Sequence, residues 1–157
     1  ANFARLNLHA DVVVADIVSL KAPPFDAVLV DAPCLATGTI RRHPDIAWIK
    51  KPRDIAALTV LQARLLDKAI ELVKPGGMIV YCTCSIEPEE NELQISALLR
   101  RDPGVIRVPI APDEVGGLPE LLNESGELRT LPLHLRAAEP RLSGLDGFFA
   151  ARLLRRG

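Results

Sequence analysis

An α/β domain in which short strands alternate with amphipathic helices is the fold class this sequence predicts. Three features carry it: β-branched runs that end on aspartate, a long stretch with apolar residues at three- and four-residue steps, and a Pro-Gly-Gly stop before the next apolar run. The 157 residues are 48% hydrophobic and 25% charged, the composition of one folded domain rather than of a disordered tail or a fibre. A compact chain of this length hides roughly 70% of the surface its unfolded form exposes, so no disulfide or metal staple is required.

Val12 to Ala15 and Phe25 to Asp31 read as buried strands that reach a functional edge at Asp16 and Asp31. From Asp54 to Lys74, Ile55, Leu58, Leu61, Leu65, Leu66, Ala69, Leu72 and Val73 recur at helical spacing; Asp54 can cap the start and Pro75-Gly76-Gly77 ends it. Met78 to Cys82 follows as a strand. After a turn at Pro88 comes a helix from about Glu89 to Arg101, with Leu93, Ala97, Leu98 and Leu99 on or near its buried stripe. Val105 to Ile110 and Phe148 to Leu154 are the last strands, separated by a Pro- and Gly-rich stretch from Pro112 to Pro140 that reads mostly as loop. Strands alternating with helices imply a largely parallel sheet whose ligands sit beyond the carboxyl ends of its strands. Asp16, Asp31 to Cys34, and Thr83 to Ser85 then converge on one rim.

Composition excludes several classes. No apolar run approaches the roughly 20 residues of a membrane-spanning helix, and the N-terminus shows no secretory pattern. Three cysteines, an odd number, do not close a disulfide framework, which points to a reducing cytoplasm. A net charge of −1 argues against a wholesale basic nucleic-acid binder. Locally, however, Arg41, Arg42, Lys50, Lys51 and Arg53 face the single Asp45, while Glu87, Glu89, Glu90 and Glu92 form an acidic knot; both also read as solvated faces. The histidines His9, His43 and His134 are scattered and no Cys/His set has zinc-like spacing, so no metal site is expected.

Asp31-Ala32-Pro33-Cys34 places a carboxylate and a thiol three residues apart on a proline-stiffened turn, and Thr83-Cys84-Ser85 places a second thiol after the next strand. A partly ionised thiol is a strong nucleophile and a carboxylate can hold a heterocycle; small buried cysteines also simply fill space. Spacing alone leaves both readings open. Cys82 lies inside its strand and reads as packing, and Cys82-x-Cys84 lacks the spacing of a thiol oxidoreductase.

The run Asp31-Ala-Pro-Cys34-Leu-Ala-Thr-Gly38-Thr-Ile-Arg-Arg42-His-Pro44-Asp45-Ile-Ala-Trp48 closely resembles the motif IV region of the Sun/RsmB/Nop family of RNA cytosine-5 methyltransferases. Ile79 to Glu92 resembles that family's motif VI, and Asp146 to Leu153 its closing motif. The resemblance covers nearly the whole chain and is weakest from Pro109 to Pro140. It implies a Rossmann-like S-adenosylmethionine-dependent fold and methyl transfer to C5 of a cytosine in RNA, most simply ribosomal RNA. It further implies Cys84 as the nucleophile that adds to C6, Cys34 as the thiol needed to release the product, and Asp31 as the carboxylate on the target base. Asp16, Asp31 and Pro33 fall at the implied cofactor positions. Arg41, Arg42, Lys50 and Lys51 fall on the implied RNA approach, where Trp48 is a stacking or packing platform. Glu90 and Asn91 are expected to brace the nucleophile loop. A methyltransferase acting on nitrogen would carry an Asp/Asn-Pro-Pro-aromatic loop in place of Asp31 to Cys34.

The family's first two strands and its glycine-rich cofactor loop have no counterpart, and Ala1 to Leu6 resembles the tail of the helix before the third strand. The expectation is therefore a partial catalytic domain, residues 1–157, from the third strand onward, without the family's upstream RNA-binding modules. A buried strand without neighbours would orphan backbone groups at about 1 to 3 kcal/mol each, so Val12 to Ala15 is expected to re-pair, for instance between two copies in a homodimer. The alternative function is a non-catalytic RNA-binding or assembly fragment of such an enzyme.

Overall fold

The computed structural model describes residues 2–157; Ala1, the first residue of the expected helix tail, lies outside the described residues. Asn2–Arg5 forms a single helical turn, α1. The main elements are β1 (Phe25–Asp31), α2 (Ile46–Ile49), α3 (Pro52–Leu72), β2 (Val73–Thr83), α4 (Glu92–Arg101), β3 (Val105–Arg107), β4 (Leu128–Thr130) and β5 (Phe148–Arg155). The sheet order is β1-β2-β5-β3, with β4 also pairing β5.

Only β1 and β2 run parallel; β5 is antiparallel to β2, β3 and β4. The expected largely parallel sheet is thus a mixed one. A parallel neighbour needs a crossover element, which α3 supplies between β1 and β2, whereas the chain reaches β5 from β3 through loops, short 3-10 turns and β4. Ile79 and Tyr81 from β2 alternate into the core with Phe149, Ala151 and Leu153 from β5, against Leu66 and Ala69 of α3 and Ile95 and Leu98 of α4. Tyr81 and Phe149 meet edge-on, ring centroids 6.5 Å apart. Both helices therefore cover the same face of the sheet.

Several boundaries move for local reasons. Asp54 is not the cap of α3 but its third residue, where its carboxylate accepts the Lys51 N–H at 3.0 Å; Pro52 opens the helix. The helix ends at Leu72, two residues early, and Val73 is already extended at the start of β2. Register jumps between Phe25↔Val73 and Ala27↔Met78, so Lys74 to Gly77 loop out, with Gly76 at φ +78°. On α4 the buried positions are Gln94, Ile95 and Leu98, while Leu93 is 53% exposed. The predicted strand Val105 to Ile110 stops at Arg107 because Pro109 has no N–H to donate. β4 is an unpredicted strand within the Pro112 to Pro140 loop.

Val12 to Ala15 is not a strand. It is irregular and exposed, Val14 at 98%, because β1 is the sheet edge and no strand pairs with its outer side among the described residues. A β-branched run becomes a strand only where a neighbour takes its hydrogen bonds. Left in solvent, its backbone is hydrated and the expected burial penalty does not arise.

Candidate active site

Parallel pairing places Asp31 opposite Cys82, so the chain leaves β1 and β2 at the same sheet end. Three residues past Asp31 and two past Cys82, the sulfurs of Cys34 and Cys84 lie 3.5 Å apart. Both loops are tied together by the Gly38 N–H, which donates to Cys84 O at 3.0 Å. Thr37 Oγ1 adds a second tie: it accepts the Ile86 N–H at 3.1 Å and meets Ser85 Oγ at 3.2 Å. The loop after β1 is threaded through Ala36, which holds the left-handed conformation at φ 59°.

Burial pushes the Cys34 thiol up to about 12, assisted by the neighbouring Cys84 sulfur. Cys34 therefore keeps its proton at neutral pH, and either sulfur can be the donor across the 3.5 Å contact. Cys82, the expected packing residue, is buried, and burial followed by the nearby Asp31 carboxylate raises its thiol to about 11. It donates to Val30 O at 3.6 Å and to Asp31 Oδ1 at 3.8 Å, so it also touches the site carboxylate.

Asp16 and the Asp31–Pro33 turn, from two separate places in the chain, line one cavity of about 450 Å³ floored by Val28, Val30, Leu61 and Leu65. Its size and its apolar floor with a few polar groups suit a small organic ligand. Asp16 also accepts the Val18 N–H at 3.0 Å, capping a 3-10 turn. Of the four basic residues, Lys50 and Lys51 line a second cavity of about 210 Å³ beside Leu35 and Thr37. Arg41 and Arg42 are exposed but also fasten the turn before β5: Arg41 Nη2 donates to Ser143 O at 3.1 Å and Arg42 Nε to Asp146 Oδ2 at 2.6 Å. Trp48 is 84% exposed, so its ring is not packed.

Glu90, expected to brace the Cys84 loop, turns instead to the Cys34 loop, its carboxylate accepting the Leu35 N–H at 3.1 Å and Gln62 Nε2 at 2.9 Å. Its backbone carbonyl takes the Tyr81 hydroxyl at 2.7 Å, and burial raises the Tyr81 pKa further above its ordinary value. Asn91 does hold the Cys84 loop, through Thr83 Oγ1 at 2.5 Å and Ser85 O at 2.9 Å. Sequence reasoning missed Gln62. The signal was present: Gln62 falls four residues from both Leu58 and Leu66, a polar side chain inside the apolar stripe. No helix among the described residues is long and apolar enough to cross a membrane, and none of their His, Cys, Asp and Glu side chains form a metal-holding group of three or more.

Residues 1–154 match the family model described as 16S rRNA methyltransferase RsmB/F. Ribosomal RNA small subunit methyltransferase B of Vibrio cholerae is 47% identical over 119 residues, covering 73% of this chain and 27% of that protein. Its namesake in Erwinia tasmaniensis is 38% identical over 158 residues, covering 98% and 33%. This chain thus spans about a quarter to a third of the length of these curated relatives. Among solved structures, a methyltransferase homolog protein from Pyrococcus horikoshii superposes with a TM-score of 0.70 at 31% identity, covering 98% of this chain and 48% of that one. NSun6 from Pyrococcus horikoshii with SFG superposes at 0.74 and 25% identity, covering 99% and 37%.

Proposed function

Because the chain belongs to the 16S rRNA methyltransferase RsmB/F family, we propose that it carries the thiol chemistry of an enzyme that methylates C5 of a cytosine in ribosomal RNA. The observation that supports this most directly is the pair of thiols 3.5 Å apart. In this reading the Cys84 thiolate adds to C6 of the cytosine, and the C5–C6 π electrons shift to C5, which becomes enamine-like. Asp31, exposed at the end of β1, hydrogen-bonds the base near N3, an interaction that strengthens as the adduct forms. S-adenosylmethionine, when bound, supplies the electrophilic methyl group that such a carbon takes up. The residues that would hold it are Asp16, Asp31 and Pro33, whose shared cavity fits it in size and lining.

Release needs the C5 proton to pass to a base, water in this reading, the C5–C6 double bond to re-form and the sulfur–C6 bond to break. Cys34, whose sulfur lies 3.5 Å from that of Cys84, acts on the leaving group: its S–H donates to the Cys84 sulfur as negative charge returns there. Arg41, Arg42, Lys50, Lys51 and Trp48 form the RNA approach, the lysines as phosphate contacts and the indole as a stacking surface. In this reading the chain is the later part of the catalytic domain, acting in the cytoplasm. The glycine-rich cofactor loop is then supplied by further chain or by a second copy paired along β1.

The test mixes the full-length protein with S-adenosylmethionine and RNA containing 5-fluorocytosine, whose fluorine cannot leave as a proton does. A denaturation-resistant adduct that Cys84→Ser abolishes and Cys34→Ser retains is the expected result. RNA retention without any adduct would overturn the reading in favour of a non-catalytic RNA-binding segment.

A further inference from the structure

Glu90 and Asn91 are adjacent and fully buried, yet they serve different cysteines. Asn91 grips the residues on either side of Cys84, accepting from Thr83 Oγ1 and donating to Ser85 O. Glu90 offers both carboxylate oxygens to the Leu35 N–H, at 3.2 and 3.1 Å. Gln62, from the middle of α3, completes this second set: its Nε2 donates to Pro33 O and to Glu90 Oε1, each at 2.9 Å. Pro33 O and the Leu35 N–H flank Cys34, so the loop is held immediately before and after its thiol.

The orientation of the Gln62 amide follows from its partners, since both are acceptors and only the NH₂ group can face them. Its Oε1 is left buried without a donor, which is unfavourable. A leucine at this stripe position would pack α3 without that penalty; what glutamine adds is the link to the Cys34 loop.

We propose that Gln62 and Glu90 are positioning residues for Cys34, and Asn91 for Cys84, so that two thiols 3.5 Å apart are aligned by separate hydrogen-bond sets. The consequence rests on the reading of Cys84 as nucleophile and Cys34 as the releasing thiol. Moving Cys34 by about an ångström disrupts its contact with the Cys84 sulfur, and displacements of that size change rates by up to about 100-fold, while Cys84 can still attack. Loosening the Gln62–Glu90 set should therefore trap the covalent adduct, and loosening Asn91 should prevent it.

The experiment compares the full-length parent with Gln62→Met, Glu90→Gln, Asn91→Ala and Cys34→Ser, each mixed with S-adenosylmethionine and an unmodified 16S rRNA transcript and quenched in denaturant. Expected for Gln62→Met is about a fivefold or greater rise in adduct, with methyl transfer in the first turnover within about twofold of the parent. Asn91→Ala should lower both. Simple unfolding also lowers both, and a thermal melt identifies it; should Gln62→Met melt early, Glu90→Gln carries the same expectation. A second arm needs no catalysis. Diamide, a diazene, takes two electrons and two protons from the thiol pair, giving the Cys34–Cys84 disulfide and a hydrazine, and that rate should fall severalfold in Gln62→Met. A folded Gln62→Met with the parent's adduct level and disulfide rate overturns the proposal. If Cys34→Ser accumulates no adduct, the reaction reading fails instead, and the disulfide rates alone decide the positioning.

Discussion

Gly38 and Gly147 are packed backbone against backbone: a Cβ built on Gly38 would lie 2.0 Å from Gly147 O and 2.8 Å from Cys84 O. The Gly147 N–H also donates to Gly38 O at 2.8 Å. The loop after β1, the loop after β2 and the turn into β5 therefore cross at one point beside the thiols, and only a residue without a side chain fits there.

Gly38→Ala should destabilise the fold by about 3 kcal/mol or more, because the obstruction is backbone and cannot rotate away. Gly76→Ala is the control: it meets nothing within 4 Å and carries only the strain of φ +78°, about 1 to 2 kcal/mol. Urea unfolding midpoints separate the two, and equal losses would show that the crossing yields easily.

Alkaline stability should depend on Cys34. Its thiol pKa rises from an ordinary 9.0 to about 12 in the folded chain, so the folded state binds the proton more tightly. That contribution is complete below pH 9.0 and is lost as pH climbs toward 12. Cys82 adds a smaller effect of the same sign. Unfolding curves between about pH 8 and pH 11 should show a shallower decline in Cys34→Ser than in the parent; identical slopes would place the Cys34 thiol in a solvated environment.

Acid stability should depend on Glu114. Hydrogen bonds from Arg152, at 2.6 and 3.0 Å, lower its carboxyl from 4.5 to about 2. A depressed carboxyl stabilises above its unfolded pKa, and the effect disappears as pH falls from 4.5 toward 2. Glu114→Gln should flatten that part of the pH profile by lowering stability at neutral pH toward its acid value, a small change because the pair is exposed and solvent-screened.

Trp48→Ala should leave the melting temperature almost untouched, as the ring is 84% exposed and surface changes stay within about 0.5 kcal/mol. RNA affinity should fall by roughly 5- to 100-fold, the equivalent of one lost base stack. Lys50→Ala with Lys51→Ala should instead reduce the salt dependence of binding. Unchanged affinity in Trp48→Ala would remove the indole from the RNA surface.

Strand and helix identity was largely determined by sequence, because the periodicities that mark β1, β2, β5, α3 and α4 are local properties of the chain. The convergence of Asp31, Cys34 and Cys84 was legible too, since parallel neighbours deliver their following loops to one sheet end. Tertiary structure decided the rest. Val12 to Ala15 has the composition of a strand but no partner for its backbone among the described residues. Glu90 reads as one charge in a solvated acidic run, yet it is buried by donors 28 and 55 residues away. The raised Cys34 thiol depends on how its sulfur is packed, and Gln62 reaches Pro33 only because α3 crosses back over the sheet. Local spacing records the period of an element, whereas desolvation and hydrogen bonding between distant residues exist only once the elements have packed.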